Sequence, residues 1–295
     1  MITLNQEACN LCLLCQAICP NYVFSLKTGA EEKQKVELTY PDQCCECWQC
    51  VAICPRDALF SEGVRRGDFE QLASIEIPAD AMRNVLLSRR SIRAYKPEAP
   101  PDAMIQRLLE AATHAATSSN GQTEGFLIIK DGKFLAELES MVIEAIWNAG
   151  LKYMEGRTLN KLIIKFLTKK YGTEMVKQYR AYFLIIKHRR EHDELRGMIF
   201  RNAPLVIVAH GLKMNDLAQT NCALAIRNME MLALTMGLGT SSVGFLTVAA
   251  RKSRKINKFL GLPKDRTVFA SMMLGYPQYK IKKVPARKPR DVRWV

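Results

Sequence analysis

Ten cysteines stand in the chain, and eight of them form one pattern written twice. Cys9, Cys12, Cys15 and Cys19 precede Pro20, and Cys44, Cys47, Cys50 and Cys54 precede Pro55. Each member of the second set lies 35 residues after its counterpart, and the flanks repeat with it: Ala17-Ile18-Cys19-Pro20 returns as Ala52-Ile53-Cys54-Pro55. Three thiolates spaced C-x2-C-x2-C on a tight loop can hold three irons of one cubane. A fourth, three residues later on a helical turn, is directed away toward a neighbouring cubane. The spacing therefore assigns Cys9, Cys12, Cys15 and Cys54 to one [4Fe–4S] cluster and Cys44, Cys47, Cys50 and Cys19 to a second. A structural zinc site would use four ligands and leave the others unexplained, and a disulfide framework belongs to an exported chain. Cys45 falls outside the pattern and reads as a small buried side chain beside a cluster. Cys222, inside a helical stretch, reads as core.

A second group carries charge instead of sulfur. Arg89, Arg90, Ser91 and Arg93 set three guanidinium groups and a hydroxyl within five residues. Planar, forked donors of that kind suit a phosphate; a solvated basic helix end is the competing reading. His188-Arg189-Arg190-Glu191-His192 fits an H-x-x-E-H zinc pattern, but it sits in a stretch so charged that an ordinary solvated helix is the better reading. Gly237-Leu238-Gly239 is followed by its next glycine only at Gly244 and comes after a helix instead of a strand, which excludes a dinucleotide-binding turn. Gly237 also suits a helix C-cap. His114 and His210 read as packed structural side chains.

These groups need elements to position them. The cysteine module occupies residues 1–62. A polar stretch with Gly63 and Gly67, closed by Pro78, forms a linker over 63–78, and a second domain spans 79–295. There, Met82, Val85 and Leu86 mark a helix, and a second starts at Pro101-Asp102 with Ile105, Leu108, Leu109 and Ala112 on one face. Strands are expected at 125–130, 203–208 and 268–274, and helices at 134–146 and from Asn215 or Asp216 to Met236. Their irregular interleaving points to an α+β fold, not a doubly wound sheet. Residues 150–200 hold twelve Lys/Arg against five acids, with Ile163, Ile164, Phe166, Leu167 and Phe183–Ile186 interspersed. They read as an insertion, either a helical cap that selects substrate or a solvated helical pair.

Two resemblances follow from these residues. The C-x2-C-x2-C-x3-C-P repeat is similar to bacterial two-cluster ferredoxins. Arg89-Arg90-Ser91-Ile92-Arg93-Ala94-Tyr95, then Ala116-Thr117-Ser118-Ser119-Asn120-Gly121-Gln122, Ala203-Pro204, Gly237-Leu238-Gly239-Thr240 and Gly275-Tyr276-Pro277 occur in order. That order resembles the FMN-dependent nitroreductase family over roughly residues 79–295. The resemblance implies a ferredoxin-like module followed by a nitroreductase-like α+β domain, with FMN at a homodimer interface. It implies that Arg89, Arg90 and Ser91 hold the phosphate and ribityl chain, and that Arg93 lies by the N1–C2 edge of the flavin. Ser118, Asn120 and Gln122 are expected near the ring, Gly239 and Thr240 against the cofactor, and the tail bases Arg287 and Lys288 on the phosphate. Where many members read Asn-x-Gln-Pro-Trp, this chain has Asn120-Gly121-Gln122-Thr123-Glu124, so the substrate-side wall differs.

The 295 residues carry a net charge of +14. Residues 1–60 hold four basic and seven acidic side chains, −3, which leaves +17 for the remainder. The N-terminus has neither a basic start nor an apolar run, so no export signal is expected, and with reduced cysteines this points to the cytoplasm. No apolar stretch reaches membrane-span length. No helix-turn-helix or finger pattern supports nucleic-acid binding. The expected activity is transfer of electrons from an external ferredoxin or other donor, through the clusters to FMN, and on to a small conjugated acceptor. An electron carrier serving a protein partner is the alternative. No residue stands out as a proton donor.

Overall fold

The computed structural model describes residues 2–28, 33–64, 68–154, 165–166, 168–169 and 172–295. The chain divides into two compact units. One comprises residues 1–77 together with 117–122, the other residues 78–116 and 123–295. The assignment of 117–122 to the first unit differs from the sequence-based boundaries. Its physical basis is hydrogen bonding: the Asn120 side-chain amide donates to the carbonyls of Cys45 (3.3 Å) and Glu46 (3.1 Å).

The first unit repeats itself in backbone as in sequence. Strand β1 (Ile2–Leu4), helix α1 (Leu14–Ile18) and β2 (Phe24–Thr28) are followed by β3 (Gln34–Leu38), helix α2 (Gln49–Ile53) and β4 (Leu59–Ser61). The strands pair crosswise into two antiparallel ladders, β1 with β4 and β2 with β3. Left-handed non-glycine residues recur at the 35-residue interval: Leu11 and Glu46, Leu13 and Trp48, Tyr22 and Asp57. Such conformations are unfavourable for side-chain-bearing residues, so their recurrence marks two loops bent for the same purpose. A small core of Ile2, Val23, Phe24, Val36 and Leu59 lies among the cysteines. The segment 70–77 is exposed throughout. Gly67 lies outside the described residues.

The second unit begins with α3 (Ala79–Ser88) and α4 (Asp102–Thr113), then β5 (Gly125–Ile129), α5 (Gly132–Met154) and α6 (Thr173–Glu191). It continues with β6 (Leu205–Leu212), α7 (Ala218–Thr235), β7 (Gly239–Ser242), α8 (Gly244–Lys252), α9 (Arg254–Phe259) and β8 (Arg266–Gly275). The four strands form one antiparallel sheet in the order β5-β6-β8-β7. Period-two alternation sends the two sets of β6 side chains to opposite faces. Leu205, Ile207 and Ala209 pack with α4 and α7, while Val206 and Val208 pack with α5, α6, α8 and α9. Helices therefore cover both faces, which explains the nearly unbroken apolar runs in β6 and β8. Cys222 is fully buried among the α7 residues of this core. At its end α7 closes with Gly237 at φ 74°, where Leu238 N–H donates to Ala233 O (2.9 Å) and Gly237 N–H to Leu234 O (3.1 Å). That is the left-handed cap anticipated for this glycine.

The helices α5 and α6 are fastened to each other and to the segment that follows them. On α5 and α6, Trp147 and Phe183 stack at 5.0 Å, and Arg190 lies 5.1 Å over the Trp147 ring while pairing with Glu144 at 2.7 Å. The buried Glu139 carboxylate accepts from Gly197 N–H (2.7 Å), Ile199 N–H (2.7 Å) and Phe200 N–H (3.0 Å). That knot seats Met198, Ile199 and Phe200 in the core. Ile163, Ile164 and Leu167 lie outside the described residues. Among the described residues, no helix is long and apolar enough to cross a membrane.

Candidate functional site

Two cavities occupy the first unit, and the cysteines divide between them. One is lined by Cys9, Cys12, Cys15 and Cys54 with Leu4, Leu13 and Leu59. The other is lined by Cys19, Cys44, Cys47 and Cys50 with Ile18, Phe24 and Trp48. Each contains three of the patterned thiols of one loop and the fourth of the other half, and Cys45 lines the second cavity as well. Among the described residues no three His, Cys, Asp or Glu side chains converge on a point that would suit a single metal ion. Thiols spread around a cavity suit the corners of a cubane better than one ion.

The electrostatics agree with that fit. Burial pushes the Cys50 thiol up to about 12, aided by the neighbouring Cys44 and Cys47, and burial likewise raises Cys15. Bound cationic iron would offset that cost of burial and favour the thiolates. The Cys54 sulfur accepts from Ala58 N–H at 3.3 Å, an interaction of the kind that would tune the potential of a bound cluster. Cys45 is half-buried; burial and the adjacent Cys47 keep it protonated.

In the second unit the scattered motifs converge. Ser91 bridges to Thr240, and Ile92 N–H donates to Thr240 O at 2.9 Å. Farther along, Lys96 N–H donates to Tyr276 O (2.9 Å) and Gln278 N–H to Ala94 O (3.0 Å). Tyr95 pairs with Pro277, and its hydroxyl donates to Ile92 O at 2.6 Å. Burial holds that phenol above its ordinary range, so it stays neutral and donating. Two glycines make the convergence possible. A Cβ on Gly239 would lie 2.7 Å from Ile92, and one on Gly275 would lie 2.8 Å from Pro204 and 3.0 Å from Tyr95. The segment 89–96 is thus laid along β7 and the residues after β8.

Within that segment Arg90 donates from one terminal nitrogen to Arg89 O at 2.7 Å, while its Nε is buried without a partner. An unpartnered buried guanidinium nitrogen costs free energy unless an anion or other acceptor completes it. Arg89 and Ser91 flank it half-buried, and Arg93 is exposed. These residues fit a phosphate-bearing cofactor such as FMN. Arg287 and Lys288 lie in a terminal stretch, 278–295, that is exposed throughout.

The turn holding Ser118, Asn120 and Gln122 belongs to the first unit. It closes through Asn120 N–H to Thr117 O (3.1 Å), Gly121 N–H to Ser118 O (2.9 Å) and Gln122 N–H to Thr117 Oγ1 (3.2 Å). The departure just after it is accounted for locally. Glu124 accepts from Asn221 Nδ2 at 2.7 Å, and Arg266 donates to Thr123 O and to His210 Nδ1. The His210 ring fills the space above Gly125, where a Cβ would lie 2.3 Å from it. Burial, with Arg266 beside it, lowers the His210 pKa and keeps the ring neutral. His114 is instead exposed at the end of α4, because the helix stops with that residue turned to solvent. The rings of His188, on α6, and His192, at its C-cap, lie 4.3 Å apart and tilted by 45°, with the His192 Nδ1 engaged by His188 O. The Asn120–Cys45 link, the Glu139 knot and the Ile92–Gly239 contact carried no local sequence signal, since their partners lie far along the chain.

The nitroreductase family model matches residues 86–276, and a 4Fe-4S dicluster domain model matches residues 8–59. Among solved structures, an FMN-bound nitroreductase from Bacteroides fragilis is 21% identical, covering 72% of this chain and 98% of its own, with a TM-score of 0.51. An FMN-bound nitroreductase from Desulfitobacterium hafniense is 20% identical, over 72% and 97%, with a TM-score of 0.50. An FMN-dependent nitroreductase from Clostridium difficile is 15% identical, over 73% and 100%, with a TM-score of 0.51. At these identities the likeness is one of fold. No curated protein matches.

Proposed function

The chain belongs to the nitroreductase family, and we propose that it is an FMN-dependent oxidoreductase that receives electrons through two [4Fe–4S] clusters and reduces a small conjugated acceptor, such as a nitro compound or quinone. The observation that carries this reading is the buried, unpartnered Nε of Arg90 on a segment fixed by Thr240, in a chain whose other unit has two cysteine-lined cavities. FMN, when bound, takes electrons singly and gives them up in pairs, which matches one-electron supply from iron–sulfur clusters.

The chain's own residues would do the following. Arg89, Arg90 and Ser91 bind and orient the phosphate end, with Arg90 Nε gaining the acceptor it lacks. Tyr95, neutral and bonded to Ile92 O, holds the segment's curvature. Gly239 and Thr240 form the backbone wall against which that segment lies. Cys9, Cys12, Cys15 and Cys54, and Cys19, Cys44, Cys47 and Cys50, hold the two clusters.

We infer a homodimer as the working form. Supporting it are the exposed Arg287 and Lys288, free to reach a second copy, and the exposed apolar residues Met82 and Leu86 on α3 and Leu217 and Leu224 beside and on α7. Anaerobic stopped-flow reduction with NADH, NADPH and a reduced ferredoxin, followed by turnover with nitro and quinone acceptors, tests the function. The expected result is fast bleaching of the iron–sulfur absorbance by reduced ferredoxin, flavin reduction after it, and multiple turnovers. Reduction without turnover of any small acceptor would make the protein a carrier instead.

A further inference from the structure

The two halves of the first unit present their cysteine loops with left-handed residues matched at three positions 35 residues apart. Two clusters in equal surroundings would have nearly equal potentials, and electrons would have no preferred direction between them. The described contacts of the two loops nevertheless differ: Ala58 N–H donates to the Cys54 sulfur in the Cys9 half, and Asn21 donates to Gln43 O beside Cys44 in the other. Asn120 Nδ2 donates to the carbonyls of Cys45 and Glu46, both between the ligands Cys44 and Cys47. Their counterparts 35 residues earlier are Asn10 and Leu11, and among the described residues no side chain donates to either carbonyl.

We propose that Asn120 is a positioning residue that raises the reduction potential of the Cys44–Cys47–Cys50–Cys19 cluster, biasing electrons toward that half relative to a chain that lacks the amide. Three physical points carry this. The amide nitrogen places the positive end of a dipole on the ligand loop, where it stabilises the extra negative charge of the reduced cluster. By accepting its bonds, the Cys45 and Glu46 carbonyls polarise their own peptides, strengthening the N–H groups of Glu46 and Cys47 as donors. The amide is also held in advance. Ser119 (φ 49°), Asn120 (φ 54°) and Gln122 (φ 43°) are all left-handed in one short turn, a costly arrangement kept only where surrounding bonds over-determine it.

When both clusters are bound, exchange of one electron between them would oxidise one and reduce the other with no proton moved, and the Asn120 amide would shift that balance toward the Cys44 half. That an electron then continues to a flavin rests on the function proposed above.

Anaerobic redox titration of the full holoprotein, monitored by electron paramagnetic resonance, tests the assignment in wild type, Asn120→Ala and Asn120→Asp. Cys12→Ser and Cys47→Ser serve to assign the two signals. The expected result is a lowered potential for the Cys44-half cluster in the Ala variant, with electron partition between the clusters changed about tenfold, equal to about 59 mV for a one-electron couple. The Asp variant, which replaces a donor with a negative charge, should shift it further in the same direction, and the Cys9-half potential should stay put. Equal movement of both potentials, or movement of neither at unchanged iron content, overturns the proposal. Flavin released on denaturing the same samples reads the other question separately. Its absence would sink the flavoenzyme reading while leaving the potentials to decide the role of Asn120.

Discussion

Gly239 shows how narrowly single residues set the geometry of the segment 89–96. Its missing side chain lets Ile92 approach, and Ile92 N–H then reaches Thr240 O at 2.9 Å. Replacing it with alanine puts a carbon 2.7 Å from the Ile92 side chain. We expect Gly239→Ala to cost about 1–3 kcal/mol in stability, as overpacking does, and to lower retained flavin. Denaturant titration and flavin-to-protein absorbance ratio measure the two effects. The motif Arg89–Tyr95 stood out in the sequence because its residues are contiguous, three guanidiniums and a hydroxyl in five residues, but that chemistry alone did not separate a phosphate site from a solvated helix end. The use of Asn120 was not legible, because the carbonyls it meets lie 75 and 74 residues away. His114 was misjudged for the opposite reason, since composition near a helix end does not say which way the last residue faces.

At the scale of elements, long amphipathic or apolar stretches declared themselves, and short polar ones did not. α4, α7, β5 and β8 follow the apolar spacing closely. β7, with the sequence Gly239-Thr240-Ser241-Ser242, has no apolar alternation and becomes a strand only because β8 offers it an edge. β6 runs past its expected end because a register shift between Ala209 and His210 lets it stay paired with β8 to Leu212. The connection from α6 back into the sheet depends on one carboxylate. Glu139→Ala would leave the Gly197, Ile199 and Phe200 amides without their acceptor. At about 1–3 kcal/mol for each buried unsatisfied group, a loss of about 3–5 kcal/mol is expected, partly recovered in Glu139→Gln. Chemical denaturation midpoints for the two variants would check this, and equal midpoints with wild type would refute it.

For the molecule as a whole, the cysteine repeat made the unit with the cavities legible before any fold was known, because ligand spacing is a covalent property of the sequence. The crossed sharing of ligands gives a further expectation. Cys54 lies in the second half yet lines the cavity of the first, and Cys19 does the reverse. Cys54→Ser should therefore disturb the same paramagnetic signal as Cys12→Ser, and Cys19→Ser the same signal as Cys47→Ser. If each substitution disturbed the cluster of its own half, the ligand sets would have to be redrawn.

The turn Thr117–Gln122 has a bearing on how such a chain can be rearranged. Six residues that follow α4 in sequence are grouped with the cysteine unit, held there by Asn120 on the carbonyls of Cys45 and Glu46. A graft that exchanged residues 1–77 for another ferredoxin would leave that turn facing a loop it was not shaped for. Cutting the chain at the linker would likewise strand it. The electron module is thus inherited as two separate pieces of sequence, and a transplant would succeed only if both travelled together.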